Sequence, residues 1–400
     1  MNQENNKLYP LPMGWRWVKL GDVCEIINGK NQKEVINPNG KYPIYGSSGI
    51  FGYADKYLCH EGTTVVGRKG NINNPIYVST KFWNVDTAFG LTPKADIDGK
   101  FLFYFCKGFN FHSLDKSTTI PSLAKSDILK IDISIPPLTV QHAIVSKIEE
   151  LLSELDKGKQ QLETAQQQLK IYRQSVLKWA FEGRLTNESV KEGELPEGWE
   201  WVQVKEVADT YGGFAFKSGD FQNEGKYQVL RMGNVRPGVL RYDESPVFLN
   251  KVDENVLSRS LLKVNDVIIT QTGTRKKRDY GFTVLIPKDN LLLNQRIAAI
   301  RFKDKYSPKF FLYYSWTDTF KDQFFANETG NVGQGNVGMK AVTETLIPFC
   351  PPHEQQHIVQ QIESRLSVCD KLEETINQSL AQAETLRQSI LKKAFEGKLI

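Results

Sequence analysis

The sequence predicts an α+β protein of two globular domains, each followed by a long helix, with the two helices packing as an antiparallel coiled coil of pseudo-two-fold symmetry. Three observations carry this prediction. They are an internal repeat, a seven-residue apolar period closing each copy, and short β-rich runs between Gly and Asn in the middles. Leu11-Pro12-Met13-Gly14-Trp15-Arg16-Trp17-Val18 recurs as Leu195-Pro196-Glu197-Gly198-Trp199-Glu200-Trp201-Val202. Arg173-Gln174-Ser175-Val176-Leu177-Lys178 returns as Arg387-Gln388-Ser389-Ile390-Leu391-Lys392. Ala180-Phe181-Glu182-Gly183-Arg184-Leu185 returns as Ala394-Phe395-Glu396-Gly397-Lys398-Leu399. A Pro-Pro pair, Pro136-Pro137 or Pro351-Pro352, precedes each helical block. The spacing between copies is wider at the end of the unit than at its start, so the middles differ in length. Duplication followed by separate specialisation of the middles leaves this pattern.

The repeat divides the chain into a first globular domain (1–135), a first helical segment (136–186), a second domain with a short linker (187–350) and a second helical segment (351–400). In the first helix Ile148, Leu155, Leu162, Leu169 and Val176 recur every seven residues, with Leu151, Ala165, Tyr172 and Trp179 three positions on. That is an a/d seam. The second helix keeps a weaker one at Ile362, Cys369, Ile376, Ala383 and Ile390, reinforced by Leu372 and Leu386. Gly183 and Gly397 stand where a helix C-cap belongs. From Ile144 to Glu182 the first helix is roughly 58 Å long at 1.5 Å per residue. In the middles, Thr63–Val66 and Asp266–Thr270 read as strands, and Phe101–Phe105 and Phe310–Tyr314 as buried helices.

At 400 residues, 40% hydrophobic and 24% charged, the chain has an ordinary globular composition and is too long for one core. Its net charge of +5 permits a polyanionic partner without requiring one. Residues 1–10 lack a signal-peptide pattern, and no apolar run approaches the roughly 20 residues that span a bilayer. Cys24, Cys59, Cys106, Cys350 and Cys369 are scattered and odd in number, as free thiols of a reducing compartment are. A cytoplasmic location with no membrane association is expected.

Two stretches imitate catalytic motifs. His353-Glu354-Gln355-Gln356-His357 fits H-E-x-x-H, but it follows Pro-Pro in a first helical turn, and the equivalent Leu138–His142 of copy one lacks both the first His and the Glu. Glu354 there complements the helix dipole. Gly333-Gln334-Gly335-Asn336-Val337-Gly338 fits G-x-G-x-x-G without the preceding buried strand, and reads as a flexible loop. There is no phosphate-loop lysine motif and no Asn/Asp-Pro-Pro-Tyr of adenine methyltransferases. No catalytic or metal site is assigned.

Polar, basic loops at matching places remain. Val65-Val66 runs into Arg68, Lys69 and Asn71; Val267-Ile268-Ile269 runs into Gln271, Thr274, Arg275, Lys276, Lys277 and Arg278. Trp83-Asn84-Val85-Asp86-Thr87 parallels Leu293-Asn294-Gln295-Arg296. With Ser47, Ser48, Asn294, Arg296, Gln334 and Asn336 these are the candidate DNA contacts. Arg bonds a guanine edge, Asn or Gln an adenine edge, and Lys a phosphate.

The L-P-x-G-W-x-W-V openings, Pro136–Ile148 (Pro-Pro-Leu-x-x-Gln-x-x-Ile-Val-x-Lys-Ile) and the S-[VI]-L-K-x-A-F-E-G-[RK]-L helix ends together resemble the specificity subunit of type I restriction–modification systems. Tyr45-Gly46-Ser47-Ser48-Gly49 with Asp86-Thr87-Ala88-Phe89 is similar to one common type of target-recognition domain. Copy two departs in having His353 where Leu138 stands and one residue fewer before Ile358-Val359. The resemblance implies two target-recognition domains, each reading half of a bipartite asymmetric site in double-stranded DNA. It implies helices that space them and dock two methyltransferase subunits, with restriction subunits in the full complex. S-adenosylmethionine, ATP and Mg belong on those partners, none on this chain, which supplies no catalysis. Half-sites about 34 Å apart, one DNA turn, suit such an arrangement. The competing reading is a coiled-coil adaptor that binds no DNA.

Overall fold

The computed structural model describes residues 9–187, 189–191, 194–331 and 333–400. The chain forms two compact units. Unit 1 takes the residues up to Ala165 together with Thr375–Ile400, and unit 2 takes Gln166–Glu374. Each long helix is therefore divided between units.

Unit 1 is built on a four-stranded antiparallel sheet in the order Cys24–Asn28, Ala88–Pro93, Thr63–Gly67, Ile76–Val78. Thr63–Gly67 lies inside the sheet and every one of its residues is buried, which is why it reads as an unbroken β-branched run. A side sheet places Tyr42–Gly46 between Gly49–Ala54, antiparallel, and Trp83–Asn84, parallel. The opening Arg16–Lys19 pairs with Asp132–Ile135, so the strand after the first Gly-Trp lies beside the strand that enters the long helix.

Unit 2 repeats this plan. Its central sheet runs Ala208–Gly212, Ile297–Phe302, Val267–Thr270, Thr283–Leu285. Its side sheet sets Tyr227–Leu230 between Phe248–Leu249, antiparallel, and Leu291–Leu293, parallel. Its ribbon pairs Glu200–Gln203 with Leu346–Phe349. The additional length holds the hairpin Val235–Arg236/Val239–Leu240 and the helices Glu254–Ser260 and Asp318–Phe325. It also holds a small sheet in which Gly335–Asn336 lies between Thr272–Gly273 and Thr329–Gly330. The G-x-G-x-x-G stretch is thus partly strand, not a free loop. A Cβ on Gly335 would sit 2.3 Å from the Tyr280 hydroxyl, so glycine is needed for close packing, not for a phosphate.

Both expected buried helices form: Gly99–Gly108, capped by Asp98, and Pro308–Tyr314, capped by Ser307. The long helices are Leu138–Phe181 and Pro352–Phe395, 44 residues each. That is about 66 Å at 1.5 Å per residue. The first begins directly after Pro137, whose carbonyl accepts from Gln141 N at 3.0 Å, and not at Ile144. In the second, Pro352 is the first helical residue, which absorbs the one-residue difference between copies.

Within unit 1, Ile144 and Ile148 share a core with Leu391 and Phe395; within unit 2, Ile358 and Ile362 share one with Leu177 and Phe181. The Phe395 ring meets Phe101 and Phe105 at 5.0 and 5.5 Å, and the Phe181 ring meets Phe310 and Tyr314 at 5.0 and 5.2 Å. The helix of one repeat therefore completes the core of the other, and the helical segments in each unit run antiparallel. Arg387 pairs with Asp156 in unit 1, and Arg173 pairs with Asp370 and Glu373 in unit 2.

Ile148, Val176, Ile362, Cys369, Ile376 and Ile390 are buried; Leu155, Leu162 and Leu169 are partly so. The second line of the expected seam is different. Tyr172, Trp179, Leu372 and Leu386 are 41, 39, 50 and 51% exposed. The inward line four residues on carries Leu152, Arg173, Ala180, Leu366, Arg387 and Ala394 instead. The i+3 line thus holds only in part: Leu151 packs against the unit 1 core and Ala165 is half-buried, while Tyr172, Trp179, Leu372 and Leu386 face outward.

Candidate nucleic-acid interface

In both units the loops named from the sequence leave one end of the central sheet. In unit 1 the backbone N–H groups of Arg68 and Lys69 donate to the Thr87 carbonyl at 2.8 and 3.2 Å. Gly70 N donates to Pro121 O at 2.9 Å. A Cβ on Gly67 would stand 2.0 Å from the Asn71 carbonyl and 3.0 Å from Ser47 Cβ, so glycine lets the turn close. Ser47, Arg68, Lys69 and Asn71 thus gather beside Asp86 and Thr87. Ser48, Arg68, Lys69 and Asn71 are exposed and Ser47 is half-buried. The Arg68 guanidinium donates to the Asp86 carbonyl at 3.3 Å and stands 5.9 Å from the Phe89 ring.

Unit 2 has a cleft of about 630 Å³ at the same end, lined by Met232, Arg236, Thr274, Phe282, Arg296 and Gln334 among others. It brings Thr274, Arg296 and Gln334 together. The remaining predicted residues have other engagements. Gln271 is 9% exposed and its Nε2 donates to the Val337 carbonyl at 3.1 Å, so its amide faces inward. Asn336 Oδ1 accepts from Thr272 Oγ1. Arg275 pairs with Glu328 at 3.3 Å, and Arg278 stacks 4.8 Å over the Phe325 ring. Lys276 and Lys277 are exposed on the same turn. Asn294 is half-buried, and its Oδ1 has no partner. A Cβ on Gly213 would stand 1.8 Å from its carbonyl, which places Asn294 under the loop and not at its tip.

The turn Thr274–Asp279 is internally held. Asp279 accepts from Thr274 N and Oγ1, and the backbone N–H lowers its carboxyl below the usual range. Tyr280 at its base donates to Glu328, and burial, followed by that bond, pushes its phenol well up. Arg236, Met232 and Phe282 line the cleft but were not singled out from sequence. Met232 stands two residues past Leu230 as Ser47 stands two past Tyr45, whereas Arg236 lies in the added hairpin, where the repeat could not point to it.

His353 and His357 are exposed, and Glu354 lies in the first turn of its helix. Among the described residues no group of three or more His, Cys, Asp or Glu is placed to hold a metal ion, and no helix is long and apolar enough to cross a membrane. All five cysteines are free and buried, and burial pushes the Cys24, Cys59 and Cys350 thiols up to about 12.

Two like domains, each with polar loops of its own at one end of a central sheet and each completed by antiparallel helical segments, define a tandem-repeat protein. The family model for the type I restriction modification DNA specificity domain matches residues 12–165 and 196–382, and the chain belongs to that family, with two copies of its domain. It is a specificity subunit: it supplies recognition, not catalysis. It is 25% identical to the EcoDI specificity subunit of Escherichia coli over 97% of this chain and 89% of that one. Against the MjaVIII specificity subunit of Methanocaldococcus jannaschii it is 26% identical, over 97% and 94%. The HsdS subunit of Thermoanaerobacter tengcongensis shares the fold, with a TM-score of 0.64, 20% identity and coverage of 98% and 99%. A chain solved in work on assembly and conformational transition of the type I system does so with a TM-score of 0.75, 21% identity and coverage of 98% and 100%.

Proposed function

We propose that residues 1–135 and 187–350 each read one half of a bipartite, asymmetric site in double-stranded DNA, and that residues 136–186 and 351–400 dock two methyltransferase subunits and set the half-site spacing. One observation carries this reading. The same backbone hydrogen bond joins the same two loops in each unit, Arg68 N to Thr87 O and Gln271 N to Arg296 O, while the side chains presented there differ. A shared frame with different side chains reads different words. S-adenosylmethionine, ATP and Mg sit on methyltransferase and restriction subunits, and the complex works in the cytoplasm. The test is replacement of residues 11–135 by another such domain, followed by mapping of adenine methylation in cells that also express the methyltransferase. One half of a gapped motif should change and the other stay; change in both halves, or in neither, refutes the assignment.

A further inference from the structure

The frame shared by the two units can be followed residue by residue. Gly29 N donates to Ala88 O in unit 1 and Gly213 N to Ile297 O in unit 2, at 3.1 and 2.9 Å. Lys30 N donates to Asn84 O, and Phe214 N to Leu293 O. These bonds superpose Thr87 on Arg296 and Arg68 on Gln271. Each unit therefore has one arginine at the junction, contributed from opposite sides of one backbone hydrogen bond. Unit 1 places it on the donor residue, Arg68, and unit 2 on the acceptor residue, Arg296.

From this exchange we infer that the junction is the base-reading point of each domain, where Arg68 and Arg296 each read one guanine, a step that rests on the DNA-reading function proposed above. Arg296 is exposed, and among the described residues no hydrogen bond or ion pair holds its guanidinium. Two arginines of the adjoining turn are engaged elsewhere, Arg275 paired with Glu328 and Arg278 stacked on Phe325, whereas Arg236, which makes one bond to the Val235 carbonyl, lies outside the shared frame. Arg296 also has φ +67°, a left-handed conformation that L side chains other than Asn and Asp seldom adopt. Its carbonyl is fixed by Gln271 while its side chain stands at the cleft with Thr274 and Gln334. Arg68 keeps most of its donors free beyond the one bond to Asp86. A guanidinium presents a planar fork that matches O6 and N7 of guanine in the major groove, and no other base offers two acceptors there. A phosphate contact would carry no sequence information.

The experiment is single-molecule mapping of adenine methylation in cells expressing the cognate methyltransferase with the wild-type chain, Arg296→Ala, Arg296→Asn or Arg68→Ala. Asn tolerates the left-handed backbone, so Arg296→Asn preserves the loop if Ala does not. The wild-type motif should hold a guanine in each half. Both Arg296 variants should relax one guanine of the second half roughly ten- to hundredfold, with the first half unchanged, and Arg68→Ala should do the converse. A uniform fall in methylation with the motif intact would show phosphate contacts and overturn the inference, as would relaxation at a position other than guanine. A wild-type chain that directs no gapped motif would remove the DNA-reading function itself, and this inference with it.

Discussion

The side-chain oxygen of Gln141 accepts the backbone N–H of Asp98 at 2.8 Å, in the first turns of the long helix and at the cap of the domain helix Gly99–Gly108. Its Nε2 donates to the Asp96 and Pro136 carbonyls at 3.0 and 2.9 Å. Gln355 does the same in unit 2: it accepts from Ser307 N at 2.7 Å and donates to Lys305 and Cys350 carbonyls at 3.0 and 2.7 Å. Both side chains are fully buried. Each glutamine therefore fixes the angle at which its domain leaves its helix.

Replacement by leucine removes all three bonds and strands buried backbone groups, each costing about 1–3 kcal/mol when unpaired. Gln141→Leu and Gln355→Leu should each lower stability by about 2–4 kcal/mol in denaturant unfolding. A loss under ~0.5 kcal/mol in either would show that the clamp is dispensable.

Gly183 and Gly397 lie at φ +74° and +67°, as C-caps require. A Cβ on Gly397 would stand 2.4 Å from Pro12 Cγ, and one on Gly183 would stand 2.0 Å from Pro196 Cγ. Alanine at either place meets both backbone strain, about 1 kcal/mol, and a steric overlap with a rigid ring. Gly183→Ala and Gly397→Ala should each cost more than 1 kcal/mol. By contrast Gly158→Ala, mid-helix with open space around its Cβ, should stabilise by up to about 1 kcal/mol. Equal effects at all three positions would contradict this.

These elements show where the sequence was legible. Gly183 and Gly397 announce their caps because only glycine suits that backbone. The repeat announces two domains because both copies keep the residues that bind helix to domain. The i+3 line of the seam holds at Leu151 and Ala165 but not at Tyr172, Trp179, Leu372 or Leu386, because period alone cannot tell whether i+3 or i+4 faces a partner, and Leu152, Ala180, Leu366 and Ala394 lie inward. Gln141 and Gln355 are visible in the sequence only as letters of a pattern, since two of the three bonds of each reach residues 43 to 50 positions away. Gln271 and Asn336 look like readers of bases, yet the fold spends their amides on Val337 and Thr272.

Lys100 and Tyr104 meet Glu149 at 2.7 and 3.4 Å in unit 1, and Lys309 and Tyr313 meet Glu363 at 2.8 and 3.4 Å in unit 2. Burial, and then the neighbouring carboxylate, pushes Tyr104 and Tyr313 up to about 12. A phenol whose folded value lies above its unfolded value of about 10 adds stability that is complete below pH 10. That stability is lost as the pH climbs from 10 toward 12. Wild-type protein should therefore lose stability over this window more steeply than Tyr104→Phe/Tyr313→Phe. Urea unfolding at stepped pH, with absorbance at 295 nm reporting phenolate, measures both. Identical slopes would assign the alkaline loss to other groups.

Ile171, Tyr172 and Trp179 are 67, 41 and 39% exposed on the first long helix within unit 2. Large apolar side chains left outward by i, i+4 pairing suit the proposed docking of a methyltransferase subunit. Surface substitutions away from the core change stability by no more than about 0.5 kcal/mol. Covering such a side chain against a partner contributes about 1.5–3 kcal/mol when burial is complete. Tyr172→Ser/Trp179→Ser should therefore unfold at nearly the wild-type denaturant concentration yet bind the methyltransferase at least tenfold more weakly by titration calorimetry. Unchanged affinity would move the docking surface elsewhere. A loss of stability of several kcal/mol would mean that these rings support unit 2 itself, and the exposed line would then be structural.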